Sequence, residues 1–115
     1  HIVFTGSLSG FRGLPKAVGY GASKAGLMSL AETMYADLRK TGVQVQLINP
    51  GFVKTRLTDK NDYKMPFLME PEYAARQYVE HMGTDRFAKN YPTLFSSALR
   101  FTQFLPDWLY YRLFG

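Results

Sequence analysis

Tyr20 and Lys24 stand four residues apart in Tyr20-Gly21-Ala22-Ser23-Lys24. On a helix that spacing sets a phenol and an ammonium on one face, one turn apart. A phenol ordinarily holds its proton to about pH 10. A neighbouring cation favours the phenolate, and in a partly desolvated site such a pair could exchange a proton with a substrate near neutral pH. The change asks for about 4 kcal/mol, at roughly 1.36 kcal/mol per unit. A lone Tyr-x-x-x-Lys pair is more often a solvated helix face than a site, so the weight falls on what surrounds it.

The surrounding elements can be read from hydrophobic period and turn chemistry. Ile2-Val3-Phe4 is short, β-branched and aromatic, and breaks at Thr5-Gly6-Ser7, which predicts a buried strand running into a loop. Gly6, Gly10, Gly13 and Pro15 make the stretch from Ser7 to Pro15 dense in turn residues. From Tyr20 to Lys40 the period is helical, with Leu27, Leu30, Ala31, Met34 and Leu38 on one apolar face and Gly42 as the stop. The first turns of that helix are small (Gly21, Ala22, Ser23, Ala25, Gly26), which predicts close approach to the sheet or to a ligand. Val43 to Asn49 is a second strand, stopped by Pro50-Gly51.

Strand, helix and strand make a βαβ unit with parallel strands and a right-handed crossover. Ser7 and Pro50-Gly51 then both follow carboxyl ends of parallel strands, the edge at which open α/β sheets take ligands. Further on, Glu70-Pro71-Glu72 opens a helix that runs to Met82 and closes at Gly83. An extended piece follows over Phe87–Tyr91, then an aromatic tail from Thr93 to Gly115, helical in two pieces broken at Pro106.

Composition narrows the function classes. The 115 residues suit one small domain over 1–115, and 46% hydrophobic with 20% charged residues describes a globular chain. With no cysteine, disulfide frameworks and thiolate metal sites are excluded. His1 and His81 have no metal-ligand spacing, so no metal is expected. The net charge of +5 is scattered without a run of five basic residues. A basic balance can mean nucleic acid or an anionic membrane surface and also suits an anionic phosphate cofactor, so charge alone does not decide, and no nucleic-acid partner is expected. No stretch of 18 apolar residues occurs. His1-Ile2-Val3-Phe4 opens on an apolar run with no charged segment ahead of it. That is unlike a signal peptide, reads as a start inside a domain, and gives a cytoplasmic expectation.

Three elements in order and spacing resemble the short-chain dehydrogenase/reductase family. Its members show an apolar strand ending in a serine, a tyrosine thirteen positions later, and a lysine four residues on. Here these are Ile2-Val3-Phe4, Ser7, Tyr20 and Lys24. The family writes the helix start as Tyr-small-Ala-Ser-Lys-Ala, which Tyr20 to Ala25 matches, and places Pro-Gly-x-x-x-Thr after the next strand, here Pro50-Gly51-Phe52-Val53-Lys54-Thr55. The resemblance implies the C-terminal half of a Rossmann-like, doubly wound parallel sheet, and an oxidoreductase that moves hydride between NAD or NADP and a carbonyl or alcohol. It implies Tyr20 as general acid and base, Lys24 as the group that eases its ionisation and holds the nicotinamide ribose, and Ser7 as a hydrogen-bond donor to the substrate oxygen. Pro50, Gly51, Val53 and Thr55 would line the nicotinamide end. Ser9, eleven residues before Tyr20, is the rival for Ser7.

The same loop could be taken for a phosphate loop. Thr5-Gly6-Ser7-Leu8-Ser9-Gly10-Phe11-Arg12-Gly13 is one residue longer in its last spacing than the family's Thr-Gly-x-x-x-Gly-x-Gly. A phosphate loop would also open a helix at once, which Pro15 and the late Tyr20 contradict. The family's own glycine-rich loop, its residue reading the adenosine ribose and its upstream asparagine have no counterpart, so the choice between NAD and NADP is open. The chain alone is accordingly expected to be inactive, or to serve as a non-catalytic assembly or membrane-surface binding module. The stretch Thr55–Pro71 corresponds to the family's substrate lid, in which Met65, Phe67, Leu68 and Met69 either meet an apolar substrate or pack the lid down. The tail, with Phe101, Phe104, Trp108, Tyr111, Arg100 and Arg112, fits a helix covering the fold, a subunit contact or an interfacial membrane helix. A homo-oligomer is implied by resemblance.

Overall fold

A computed structural model describes residues 1–54, 65 and 67–115. Strand β1 (Ile2–Thr5) leads through a short 3-10 turn (Leu8–Gly10) to helix α1 (Val18–Leu38), strand β2 (Val45–Pro50), helix α2 (Pro71–Met82) and strand β3 (Ala88–Tyr91). The tail forms helix α3 (Thr93–Phe101), a 3-10 turn (Thr102–Phe104) and helix α4 (Asp107–Phe114). The break expected at Pro106 is present, but the first tail piece is itself divided at Thr102.

The three strands form one parallel sheet in the order β1-β2-β3. Ile2 pairs with Val45 and Thr5 with Ile48, while Leu47 pairs with Ala88 and Pro50 with Tyr91. The central strand is buried throughout, with Val45, Gln46, Leu47, Ile48 and Asn49 all 3% exposed or less. A continuous run of withdrawn residues is what a parallel strand covered on both faces requires.

Side-chain alternation assigns the two faces. Ile48 and Tyr91 pack with Met69 and Ala74, against Val3, Val53 and Tyr78, so α2 covers the face bearing Val3, Thr5, Gln46, Ile48 and Tyr91. Leu47 and Asn49 on the other face are buried as well, and α1 is the helix that packs there on β2. Beyond the sheet, Tyr35 of α1 stacks on Phe87 at 4.4 Å between ring centres. Two steps in one direction whose helices lie on opposite faces have opposite hands. One of the two crossovers therefore departs from the right-handed preference.

On α1 the face turned to the protein is Leu27, Met28, Ala31, Met34, Tyr35 and Leu38, with Ala31 fully buried. Leu30, expected on that face, is 49% exposed. The real contact stripe lies rotated toward Met28 and Tyr35, because the aromatic ring of Tyr35 is needed against Phe87. Helix α2 begins as read, with Pro71 in its first turn and Glu72 favourable to the dipole, and its last turn closes on Gly83.

Two buried polar side chains tie β2 to its surroundings. Gln46 Nε2 donates to the carbonyls of His81, Thr84 and Arg86 at 2.8, 3.1 and 3.0 Å, and its Oε1 lies 2.7 Å from His1 Nε2. On β3, Tyr91 Oη donates to Ala74 O at 3.0 Å. Burial, with smaller contributions from Tyr78 and Tyr73, pushes the Tyr91 phenol up from 10.0 to about 12. Unfolding would free that phenol to ionise near its ordinary value, so this part of the stability is whole below pH 10 and is lost as pH rises from 10 toward 12. Tyr91→Phe is expected to cost about 1 kcal/mol at pH 8 through the lost hydrogen bond. Urea midpoints of both proteins at pH 8 and pH 11 check this: the wild-type advantage should shrink by about 1 kcal/mol at the higher pH.

Candidate active site

The first turn of α1 presents Tyr20, 56% exposed, at the C-terminal end of β1. Lys24, one turn on, holds Nζ 5.6 Å from the Tyr20 ring centre and donates to Thr5 O at 3.4 Å. The pair is therefore anchored to the last residue of the strand rather than left on a solvated face. Thr5 itself is bonded from the other side of the sheet, its Oγ1 lying 2.6 Å from Tyr78 Oη.

Ser7 has an extended backbone and caps the 3-10 turn, accepting from Ser9 N at 3.3 Å. The two hydroxyls lie 2.9 Å apart, so the serine preferred from the sequence and its rival share one hydrogen bond. The turn is closed by Gly10 N donating to Ser7 O at 3.1 Å and Phe11 N to Leu8 O at 3.3 Å.

Close approach around this loop depends on three glycines. A methyl at Gly6 would fall on Asn49 Oδ1. One at Gly10 would come within 2.6 Å of Met28 Sδ and 3.1 Å of the Lys24 backbone. One at Gly51 would meet Pro92 Cδ at 3.1 Å and Leu8 Cδ1 at 3.2 Å. Against the protein itself, the small residues at the start of α1 make little close contact. Gly21 lies near Ser9 O, but Gly19 and Gly26 have open space and Ala22, Ser23 and Ala25 are exposed. The close contact is made from the loop's side, by Gly10.

Pro50 and Gly51 are brought to the loop, with Gly51 N donating to Tyr91 O at 2.8 Å and Leu8 packed against them. Val53 pairs with Met69 in an isolated parallel bridge and packs on the core cluster. Thr55 lies outside the described residues, as does most of the expected lid. Of its apolar residues, Met69 is buried in the core at 6% exposure, while Phe67 is exposed and meets Phe95 at 5.5 Å between ring centres. Asn49 is buried beneath the loop, where its Nδ2 donates to Asn90 Oδ1 at 2.8 Å; its Oδ1 accepts nothing from the described residues.

The sequence reading gave no role to Arg12. Its guanidinium, 15% exposed, donates to Thr102 O at 2.5 Å and Leu105 O at 2.7 Å, and pairs with Asp107 at 2.8 Å. It lies over the Tyr110 ring at 4.0 Å. Tyr110 Oη donates to Gly13 O, and Gln103 Nε2 to Phe11 O at 2.8 Å. Burial pushes the Tyr110 phenol up, and Arg12 opposes that rise. An arginine inside a glycine-rich turn and a polar Gln among aromatics were the available signals, but neither names its partner some ninety residues away.

Among the described residues no cluster of acids and histidines could hold a metal, and no helix is long and apolar enough to cross a membrane.

The family model for short chain dehydrogenases matches residues 1–66. The chain belongs to the short-chain dehydrogenase/reductase family. It is 52% identical over 83 residues to an uncharacterized oxidoreductase of Myxococcus xanthus, a match covering 72% of this chain and 31% of that protein. It is 34% identical over 64 residues to the 3-oxoacyl-[acyl-carrier-protein] reductase MabA of Mycobacterium avium, covering 56% and 25%. The fold resembles a short-chain dehydrogenase from Sphingobium yanoikuyae solved with NADPH, at TM-score 0.65 and 20% identity over 92% of this chain and 46% of the other. It also resembles a 4-hydroxyisoleucine dehydrogenase solved with NADH, at TM-score 0.57 and 24% identity over 77% and 44%. The matched segments thus span a quarter to a third of these curated relatives and under half of the solved chains.

A side chain at position 6 is expected to be costly. Gly6→Ala should destabilise by about 2 kcal/mol, as overpacking of a filled site does. In an Asn49→Ala background, where the obstructing carboxamide is gone, the same change should cost less than half as much. Denaturant midpoints of the four proteins check both statements.

Proposed function

We propose that the complete protein is an NAD(P)-dependent oxidoreductase that interconverts a carbonyl and an alcohol, with Tyr20 as its general acid and base. The observation that carries this reading is the Lys24 ammonium held 5.6 Å from the Tyr20 ring centre at the carboxyl edge of a parallel sheet. The family membership supports the reaction class, and the relatives solved with NADPH and NADH support the cofactor class.

The residues present fit the ribose and nicotinamide end of such a cofactor. Lys24 uses one donor on Thr5 O, which leaves two N–H groups for ribose hydroxyls. Tyr20 is exposed beside it. Pro50 and Gly51 offer backbone at the strand end, held there by the close packing of Leu8 and Pro92 on Gly51. When bound, the reduced cofactor supplies the hydride that becomes the new C–H bond of the alcohol.

The chain's own groups handle the oxygen. Tyr20 Oη gives its proton to the carbonyl oxygen as that oxygen takes the C=O π electrons, and recovers a proton from the alcohol in the reverse direction. Lys24 Nζ, 5.6 Å from the ring centre, stands beside the phenol as its proton leaves. Ser7 Oγ donates a hydrogen bond to the same oxygen and steadies its developing charge. Ser7 Oγ already accepts from Ser9 N, and acceptance from Ser9 Oγ as well leaves its own hydrogen for the substrate. Ser9 thus orients Ser7 in place of competing with it.

The test is oxidation of NADPH and NADH by the complete protein with a short 3-oxoacyl thioester and a panel of aliphatic and aryl ketones. Tyr20→Phe should lower kcat by about 10³-fold or more, in the range of a lost general acid, while cofactor Kd stays within twofold. Turnover that persists in the variant, or a wild type inert on the whole panel, would overturn the assignment.

A further inference from the structure

The loop that carries Ser7 is gripped by the far end of the chain. Thr102 O, which also closes the 3-10 turn by accepting from Leu105 N at 3.2 Å, and Leu105 O both lie where α3 and the turn after it end. Arg12 satisfies both with one guanidinium nitrogen and reaches Asp107 with the other. The planar fork also stacks on Tyr110, an arrangement that a lysine cannot reproduce. On either side of Arg12, Phe11 O takes Gln103 and Gly13 O takes Tyr110, so three consecutive loop residues are bonded to the tail.

The grip reaches Ser7 by a short route. From Ser7 to Phe11 the chain is one 3-10 turn, closed by hydrogen bonds to Ser7 O and Leu8 O. Leu8, inside that turn, is 3% exposed and wedged near Gly51. A turn pinned at Leu8 and at Arg12 has little freedom left for the serine that caps it. The ion pair with Asp107 is the least of these ties, since Asp107 is 88% exposed and such pairs contribute little.

We propose that Arg12 is a positioning residue for Ser7, through which the tail from Thr102 to Tyr110 holds the Ser7 hydroxyl in place for the substrate oxygen. The inference rests on Ser7 acting as proposed above. It makes the aromatic tail part of what positions the serine.

The experiment is a double-mutant cycle in the complete protein, read on the fastest carbonyl of the panel with NADPH or NADH. Arg12→Met should lower kcat by about 10- to 100-fold, the order expected from small misplacement of a reacting partner, with cofactor KM within twofold. Arg12→Lys should fall between. In a Ser7→Ala background, Arg12→Met should lower kcat by no more than twofold further, because the hydroxyl it positions is gone. Equal losses in both backgrounds would mean a general structural role and overturn the proposal, as would full activity of Arg12→Met. Unimpaired turnover of Ser7→Ala would instead sink the role given to Ser7. Should Arg12→Met fail to fold, Tyr110→Phe removes only the tie to Gly13 O. It should show the same pattern at about threefold, and equal loss in both backgrounds would again overturn the proposal.

Discussion

Enclosure of β2 is the constraint on which the site depends. The strand has a parallel partner along each edge and a helix on each face. Its five residues from Val45 to Asn49 are almost fully withdrawn from solvent. Backbone groups in such a position have to be paired, and the parallel ladders pair them. The two polar side chains it buries are bonded too, Gln46 to carbonyls at the end of α2 and in the loop after it, and Asn49 to Asn90. A strand fixed this way gives Pro50 and Gly51 a defined position, and the serine loop is packed against that position through Leu8.

Contact between the loop and its supports is made through backbone. Gly6 meets the Asn49 carboxamide, Gly10 meets α1 at Lys24 and Met28, and Gly51 meets Leu8 and Pro92. Each is a place where a single methyl would force surfaces apart. The groups with chemistry, Tyr20, Lys24 and the Ser7–Ser9 pair, stand at the rim of these contacts, with Tyr20 open to solvent. A packed base beneath an exposed Tyr20 suits the role proposed for it, which requires that a substrate reach the phenol.

The tail turns several polar groups inward and leaves much apolar surface outward, although the Tyr110 ring is itself buried. Ser96, Thr102 and the Tyr110 hydroxyl are directed to backbone acceptors, while Phe101, Phe104, Trp108 and Leu113 are exposed. Its attachment to the serine loop is carried chiefly by hydrogen bonds and the stacked Arg12–Tyr110 pair. Such a junction is directional, so it fixes a loop's position more closely than apolar packing of the same area would.

The sequence alone determined the local elements and the identity of the pair at Tyr20 and Lys24, because these follow from short-range rules. Period 3.6 marks α1, Pro71 and Gly83 bound α2, and four-residue spacing sets the pair on one face. Even so, the side of α1 that packs was misjudged at Leu30, since Tyr35 stacking on Phe87 rotates the stripe and nothing local encodes that choice. Within the protein, the close contact on α1 comes from Gly10 in the loop and not from the small residues that open the helix. Only the tertiary structure decided that Ser7 and Ser9 share a hydrogen bond, that Lys24 is tied to the end of β1, and that Arg12 joins the serine loop to the tail. The hydrogen bonds of Arg12 reach across as many as ninety-five residues. Hydrophobic period and turn chemistry carry no information about which distant carbonyl a guanidinium will reach.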